Sequence, residues 1–203
     1  MKIICIGRNY VMHAKEFGNE VPFSPVFFLK PDTSLLIKNR PFFYPNISKE
    51  VQYETELVVR INKVGKHIQE KFAHTYYSEI SLGVDFTARD LQREAKSKGL
   101  PWEKAKAFDH SAVLGEWLPK EEFDDIKDIN FHLDKNGETV QTGNSGNMTF
   151  TIDYLISYLS QFFTLKMGDL IYTGTPAGVG DVQIDDRLTG YIEDRKMFDF
   201  KVK

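Results

Sequence analysis

The apolar residues of this chain occur mainly in short runs and alternating stretches that are separated by glycine and proline. Runs of about four to eight apolar or β-branched residues with such boundaries predict strands. The segments that fit are IICIG, PVFFLKP, TSLLIKN, VQYETELVVRIN and the tail from DLIYTG to LTGYIEDRKMFDFKVK. Helical segments do not alternate regularly with these strands. We therefore predict an α+β fold that is mostly β, rather than a doubly wound sheet.

A few segments have other periodicities. NYVMHAKEFG predicts a short helix that ends at Gly18, and TARDLQREAKSKG predicts a helix with Thr87 as its N-cap and Gly99 at its C-terminal end. TIDYLISYLSQFFTL repeats apolar residues at helical spacing, which predicts a helix of the core. NFHLDKNGETVQTG predicts a β-hairpin, because Asn136-Gly137 is a strong turn signal.

The strand predicted for VQYETELVVRIN carries two acidic residues on one face. Residues two apart in an extended chain point the same way, so Glu54 and Glu56 would repel each other at about 7 Å between their Cα atoms. One interpretation is a half-buried strand whose acidic face is solvated. The other is a metal site, which requires a third oxygen ligand from elsewhere in the chain.

Candidates for that third ligand lie in SLGVDFTARD. Asp85 stands at the end of a short apolar strand, where a carboxylate can project, and Asp90 is the alternative in the helix that follows. Two glutamates and one aspartate form a set of hard oxygen ligands, which suits Mg²⁺, Mn²⁺ or Ca²⁺ better than Zn²⁺. A bound cation would also turn the repulsion between the carboxylates into attraction.

Length and charge limit the classes of protein to consider. The chain has 203 residues, which we interpret as a single domain over 1–203 with a sizeable core. Its 26 Lys and Arg against 29 Asp and Glu give a net charge of −3, so we expect no nucleic-acid partner. The single cysteine, Cys5, indicates a reducing compartment, and we find no stretch that predicts a signal peptide or a membrane span. We expect a soluble cytoplasmic protein.

Six blocks of the sequence resemble one enzyme family. In order they are GRNYVMHAKE, FFLKP, YETELVV, GVDFTARDLQ, GLPWEKAKAFD and IYTGTPAGVGDV. This order resembles the fumarylacetoacetate hydrolase family, and within it the branch of acylpyruvases and fumarylpyruvate hydrolases. The resemblance implies a mixed β-roll fold, a homodimer, a Mg²⁺ or Mn²⁺ cofactor and a small 2-oxo acid as substrate. It also implies that the metal ligands are Glu54, Glu56 and Asp85.

The resemblance implies catalytic roles for residues that have simpler explanations when taken alone. His13 and Glu16 share a face of the predicted first helix and could be an ordinary surface pair, whereas in the family such a dyad activates water. Lys106 could be ordinary surface charge, whereas the resemblance implies that it stabilises enolate or carboxylate charge.

The substrate-binding residues are implied in the same way. Lys30, for example, ends an apolar strand and could simply extend to solvent. We interpret Lys96 and Lys98 as solvated helix surface. The residues that the resemblance places at the substrate are Arg8, Lys30, Arg89, Gln92 and Thr175, with Thr173 beside them.

The activity implied is that of a divalent-metal-dependent hydrolase. It would cleave the C–C bond of 2,4-dioxo acids, acylpyruvates such as fumarylpyruvate or acetylpyruvate, to give pyruvate and a carboxylic acid. The same metal and enolate chemistry serves an oxaloacetate decarboxylase or a 2-hydroxyhepta-2,4-diene-1,7-dioate isomerase/decarboxylase of aromatic catabolism, and these remain alternatives. An alternative of another class is a non-catalytic metal-binding protein with the same fold.

Overall fold

The computed structural model describes residues 1–10 and 22–203, and these form three β-sheets and four short to medium helices. The strands are β1 Ile3–Gly7, β2 Val26–Lys30, β3 Leu35–Leu36, β4 Val51–Tyr53, β5 Thr55–Ile61, β6 Tyr77–Asp85, β7 Thr87–Ala88, β8 Ala112–Leu114, β9 Leu118–Pro119, β10 Asn130–Lys135, β11 Glu138–Asn144, β12 Leu170–Tyr172, β13 Gly180–Asp181, β14 Arg187–Ile192 and β15 Arg195–Lys201. The helices are α1 Glu70–Ala73, α2 Arg89–Lys98, α3 Glu103–Lys106 and α4 Ile152–Phe162.

The largest sheet has eight strands in the order β2-β1-β12-β5-β6-β8-β3, with β9 paired to β6. It is mixed, because β1 runs parallel to β12 and β3 runs parallel to β8, while the other pairs are antiparallel. Its central strand β5 is buried on both faces. Leu57 and Val59 pack into the main core and Val58 into a second apolar cluster on the opposite face.

The two smaller sheets complete the β architecture. One has the order β11-β10-β14-β15, and its β10–β11 hairpin turns at Asn136 and Gly137, whose φ angles of 57° and 86° confirm the predicted turn. The other joins β13, β4 and β7. The prediction of an α+β fold that is mostly β is therefore confirmed.

The helices match the sequence pattern in part. α2 ends at Gly99 with the left-handed φ of 63° that favours glycine. Its N-cap, however, is Ala88 rather than Thr87, because Thr87 is drawn into strand β7. α4 is the predicted core helix, and it begins after Thr151, whose hydroxyl accepts a hydrogen bond from the Tyr154 backbone N–H.

Two further predictions need comment. TSLLIKN does not form a full strand, since it contributes only β3 after a 3₁₀ turn at Asp32–Ser34. The helix predicted for NYVMHAKEFG falls mostly on residues 11–21 and so lies outside the described residues. Among the helices that the structure does describe, none has the length and apolar character needed to cross a membrane.

Candidate active site

The two glutamates of VQYETELVVRIN lie where the predicted strand breaks. β4 ends at Tyr53 and β5 begins at Thr55, so Glu54 stands between the strands, and Glu56 is the second residue of β5. Both are buried, with relative exposures of 6% and 1%. A solvated acidic face is therefore the wrong interpretation. A buried carboxylate requires compensation by cations or hydrogen bonds.

Strand pairing brings Asp85 to the same place. β5 and β6 are antiparallel with Thr55 opposite Val84, and the Asp85 backbone N–H donates to the Glu54 carbonyl at 2.8 Å. Glu54, Glu56 and Asp85, which we call the carboxylate cluster, each offer an oxygen within 4.8 Å of the others. Asp90, the alternative third ligand, points elsewhere and accepts hydrogen bonds from Ser48 Oγ and the Lys49 N–H.

Three cationic side chains surround the carboxylate cluster. Lys106 Nζ lies between two of its members, 2.8 Å from Glu54 Oε2 and 2.7 Å from Asp85 Oδ2. Arg89 Nη2 donates to Glu54 Oε1 at 2.6 Å, and Lys30 Nζ is 2.6 Å from Asp85 Oδ1. All three cations are buried. Lys30 and Lys106 are therefore not the surface lysines that their local sequence also permitted.

The electrostatics of the carboxylate cluster are strained by like charges. Burial raises the pKa of Glu56 well above its ordinary value, and the charges of Asp85 and Glu54 raise it further, while the Gly174 N–H and Lys106 act against this. Burial lowers the pKa of Lys106, but the charges of Asp85 and Glu54 outweigh this and raise it overall. Lys106 is therefore held as an ammonium ion.

The TGTP loop after β12 closes one side of the site. Gly174 has a φ of 99°, and its N–H donates to Glu56 Oε2 at 2.8 Å. Thr175 Oγ1 donates to the Thr55 carbonyl and accepts from Gln141 Nε2. Thr173 Oγ1 donates to the Leu57 carbonyl. These hydroxyls hold the loop to β5, a structural role that the sequence had not indicated.

A cleft that reaches Glu54 of the carboxylate cluster gathers most of the predicted substrate residues, while Glu56 and Asp85 do not line it. Lys30 does not line this cleft and pairs instead with Asp85. His13 and Glu16 lie outside the described residues, so their predicted dyad stays a prediction. The predicted residues that line the cleft are Arg8, Glu54, Arg89, Gln92, Lys106 and Thr175.

Several residues at the site were missed by sequence reasoning. Lys96 lines the cleft with Trp102 and Phe28, although we had interpreted it as solvated surface. Helical spacing could have found it, because it continues the face of Arg89 and Gln92. Thr87 Oγ1 donates to Glu54 Oε1 at 3.0 Å, and Gln141 binds the TGTP loop; no local signal marks either residue.

The carboxylate cluster fits a divalent metal. Asp85 Oδ1 is buried and forms an ion pair with Lys30 Nζ at 2.6 Å, but it accepts no well-aligned hydrogen bond within the described part of the chain, since Lys30 Nζ directs its hydrogen bonds to Ser111 and the Phe86 carbonyl. Such an oxygen, next to two further buried carboxylates, belongs to the set of hard oxygen ligands that cations such as Mg²⁺ and Mn²⁺ prefer. The residues that would hold the ion are Glu54, Glu56 and Asp85.

Comparison with known proteins places this geometry in a family. The sequence profile described as "Fumarylacetoacetate (FAA) hydrolase C-terminal" matches residues 2–202. The chain belongs to the fumarylacetoacetate hydrolase family. The resemblance drawn from the six sequence blocks is thus confirmed, and membership in a family of enzymes is supported.

Individual members of the family refine this picture. The chain is 42% identical over 201 residues to a mouse protein named "Oxaloacetate tautomerase FAHD1, mitochondrial", covering 99% of this chain and 91% of that one. It is 42% identical over 183 residues to "Oxaloacetate decarboxylase, mitochondrial" of Dictyostelium discoideum, covering 90% and 84%. A crystal structure of fumarylpyruvate hydrolase from Pseudomonas aeruginosa with Mn²⁺ and pyruvate superimposes with a TM-score of 0.94 at 34% identity, covering 100% and 89%.

Proposed function

We propose that this protein is a divalent-metal-dependent enzyme that acts on oxaloacetate, interconverting its enol and keto forms, with decarboxylation as the related reaction. The observation that carries the proposal is the buried carboxylate cluster with Lys106 between two of its members. The names of the relatives in mouse and D. discoideum favour oxaloacetate over the acylpyruvates that we first expected.

The chemistry required is the stabilisation of negative charge on a 2-oxo acid as it becomes an enolate. A divalent cation held by Glu54, Glu56 and Asp85 would supply Lewis-acid stabilisation of the 2-oxo oxygen. Lys106, whose pKa is raised by the charges of Asp85 and Glu54 in the metal-free protein, would offer positive charge and N–H donors to the enolate. Arg89 is fixed by Gln52, Gln92 and Glu54, which orients its guanidinium without further reorganisation.

Tautomerisation also needs a group that moves protons. One proton must leave the enol oxygen at C2 and one must reach C3, so a side chain that both accepts and donates near neutral pH is required. His13, oriented by Glu16, is our candidate for this role, on the basis of the family resemblance. Decarboxylation needs the enolate stabilisation but no proton removal before CO₂ leaves.

Acylpyruvate hydrolysis is the second candidate, and the likeness to the P. aeruginosa fumarylpyruvate hydrolase favours it. It would use the same residues to stabilise the pyruvate enolate that departs when the C3–C4 bond breaks. It differs in requiring a water molecule, activated by His13, to attack the C4 carbonyl. The two functions therefore share Lys106 and Arg89 and differ in the role of the dyad.

The deciding experiment offers purified protein oxaloacetate, acetylpyruvate and fumarylpyruvate in parallel, with Mn²⁺ or Mg²⁺. Loss of enol absorbance and release of pyruvate are followed for each compound. We expect the largest kcat/KM for oxaloacetate, and none of this activity in Glu56→Gln. A larger kcat/KM for an acylpyruvate would favour the hydrolase. Metal binding without turnover of any of the three would favour the non-catalytic alternative.

Other features carried from the resemblance are part of the proposal. We propose a homodimer that uses Mg²⁺ or Mn²⁺ and has no nucleic-acid or membrane partner. Size-exclusion chromatography with light scattering tests the dimer. The cytoplasmic location stays a prediction, since the relatives in mouse and D. discoideum are named as mitochondrial.

A further inference from the structure

One face of helix α2 runs from the buried end of the cleft to its exposed end. We call the buried end, with the carboxylate cluster and its cations, the floor, and the exposed end, at Lys96, the mouth. Arg89, Gln92 and Lys96 are spaced at i, i+3 and i+7, so their side chains share that face, and all three line the cleft. Arg89 and Gln92 are buried and hydrogen-bonded to each other at the floor. Lys96 begins roughly 10 Å further along the helix axis, and it is exposed. Of these three residues, Lys96 is therefore the one that an entering ligand contacts first.

Lys96 is held against an aromatic wall. Its Nζ lies 5.5 Å from the centroid of the Trp102 ring, and Trp102 packs against Phe28 with ring centroids 6.0 Å apart. Phe28 in turn lies under Lys106 Nζ, at 5.0 Å. A cation over an aromatic face is restricted in position without being neutralised. Trp102 and Phe28 therefore form a continuous aromatic surface between Lys96 at the mouth and Lys106 at the floor.

No acidic partner satisfies Lys96 within the described chain. By contrast, Lys98 is two residues away on the solvent side and pairs with Glu94 at 2.6 Å. Partial burial lowers the pKa of Lys96, and the positive charges of Arg8, Arg89 and Lys106 lower it further, while Glu54 acts against them. Lys96 thus stands among cations that face one cleft, an arrangement that attracts an anion.

Without a metal ion, the charges around the carboxylate cluster balance. The carboxylate cluster contributes three potential negative charges, and Lys30, Arg89 and Lys106 contribute three positive ones. Arg8 and Lys96 are additional cations of the cleft wall. The divalent cation of the proposed function would leave the floor positive, so a ligand that suits this cleft best would carry one anionic group to the floor and a second one to Lys96 at the mouth.

We propose that Lys96, seated on Trp102, binds the second carboxylate of a dicarboxylic 2-oxo acid and so selects dicarboxylates over monocarboxylates. This role rests on the proposed function, because it assumes that the reacting end of the 2-oxo acid is bound at the floor. It makes Lys96 a specificity-determining residue. The second carboxylate would gain a charge-assisted hydrogen bond that a monocarboxylate cannot make.

The test compares oxaloacetate with 2-oxobutyrate, which has a methyl group in place of the second carboxylate. Dissociation constants are measured by competition in the Mn²⁺-loaded protein for the parent, Lys96→Met, Lys96→Arg and the control Lys98→Met. We expect the parent to prefer oxaloacetate, and Lys96→Met to weaken oxaloacetate binding by about 10- to 100-fold. Binding of 2-oxobutyrate should be unchanged, Lys96→Arg should retain part of the preference, and Lys98→Met should match the parent.

The outcomes separate this inference from the proposed function. Equal binding of both compounds by the parent, or equal weakening of both in Lys96→Met, would overturn the role of Lys96. Turnover of oxaloacetate is a separate readout on the same samples. If the parent prefers oxaloacetate and loses that preference in Lys96→Met without forming any product, the inference stands and the proposed activity fails. Thermal unfolding should be nearly the same in all four proteins, because Lys96 and Lys98 are both surface residues whose contacts with Trp102 and Glu94 contribute little to stability.

Discussion

The floor of the cleft and the outer face of the β10–β11–β14–β15 sheet use the same charged side chains in opposite environments. At the floor, Lys106 pairs with Glu54 and Asp85, and all three are buried. On the sheet, exposed Arg187 pairs with Asp199 through two hydrogen bonds of 2.7 Å. The contact distances are nearly equal. Solvent screens the second pair and leaves the first one unscreened, so their free energies should differ greatly.

The difference teaches what each group of charges contributes. A buried ion pair rarely adds to the free energy of unfolding, because desolvation offsets the Coulomb attraction, but removing one partner leaves an uncompensated charge. The buried charges of the floor therefore add little to the free energy of unfolding, but removal of any one of them should lower it strongly. Such pre-oriented charges can stabilise the negative charge that develops during a reaction. The following changes test this contrast, in order of their expected effect on the free energy of unfolding.

Lys106→Met should have the largest effect. It leaves Glu54 and Asp85 facing each other without their shared cation, which should lower the free energy of unfolding by about 3–5 kcal/mol in metal-free protein. Mn²⁺ should restore much of that loss. Activity should fall by about 100-fold or more. Urea unfolding with a chelator and with Mn²⁺ measures the first two effects.

The matched control is Lys104→Met, since Lys104 lies on the same helix α3 but is exposed. It should unfold like the parent under both conditions. Equal stability of Lys106→Met and the parent in chelator would contradict the view that the floor depends on this ammonium group.

Gly174→Ala should have the second-largest effect. A Cβ at this residue would lie 2.7 Å from Asn9 Cβ and 3.2 Å from the Ile6 carbonyl oxygen, and the φ of 99° is itself unfavourable for alanine. We expect a loss of about 1–3 kcal/mol and weaker Mn²⁺ binding, because the N–H that donates to Glu56 must shift. Calorimetric titration with Mn²⁺ and urea unfolding measure the two.

The matched control for Gly174→Ala is Gly168→Ala, at a glycine before β12. Gly168 also has a positive φ, of 86°, but a Cβ there meets no atom within 4 Å. It should lose stability from the backbone alone and bind Mn²⁺ like the parent. If Gly174→Ala also binds Mn²⁺ like the parent, the loop N–H is not important for the carboxylate cluster.

Glu56→Gln should have the opposite sign. The amide oxygen can still accept from the Gly174 N–H, while the buried like charge beside Asp85 and Glu54 disappears, so metal-free protein should gain stability on the order of 1 kcal/mol. Burial and those charges raise the pKa of Glu56 above its ordinary value of 4.5. A carboxyl group whose pKa is raised by folding stabilises the folded parent at low pH, and this contribution is lost as pH rises through the raised pKa. The amide of the variant does not titrate and has no such loss. The gain should therefore be absent below about pH 4 and present at neutral pH.

The measurement is thermal unfolding across that pH range in chelator, together with Mn²⁺ affinity at neutral pH. The variant should bind Mn²⁺ more weakly and lose activity even though it is the more stable protein. A Glu56→Gln protein that is less stable than the parent at neutral pH would show that the carboxylate is favourably compensated without metal.

The same contrast explains which features could be predicted from the sequence. Most of the strands, the hairpin and helix α4 follow from local periodicity and turn chemistry, and the structure confirms them, whereas TSLLIKN shrinks to β3 and VQYETELVVRIN divides into β4 and β5. The pairing of Glu54 and Glu56 on one strand raised the question of a metal site, the local sequence offered Asp85 with Asp90 as the alternative, and the family resemblance implied Asp85. The break at Glu54 carries no glycine or proline to mark it. It arises from tertiary contacts, which a local pattern cannot contain.

The errors have the same physical origin. Thr87 has the side chain of an N-cap, but its hydroxyl donates to Glu54 Oε1 and its backbone joins β7. Lys96 has the spacing of a residue on the Arg89 face, but charge alone suggested solvent. In both cases a distant partner in the sequence decides the environment. Surface pairs such as Arg93 and Glu50 are equally distant in sequence, yet little depends on them.

Arg187→Gln should have the smallest effect and completes the contrast. Hydrogen bonding to Arg187 lowers the pKa of Asp199, so any stabilisation is present above the ordinary pKa of that carboxyl group and is lost as pH falls through the lowered one. Solvent screens the exposed pair. In the parent, Lys196 Nζ also lies 3.5 Å from Asp199 Oδ2, so a cation would remain beside this carboxylate in the variant. We therefore expect no measurable change in the midpoint of thermal unfolding at neutral pH or at pH values near 3. Activity and Mn²⁺ affinity should equal those of the parent. A clear loss of stability at neutral pH that vanishes in acid would show that the Arg187–Asp199 pair is less screened than its exposure indicates, and the contrast between the floor and this exposed pair would weaken.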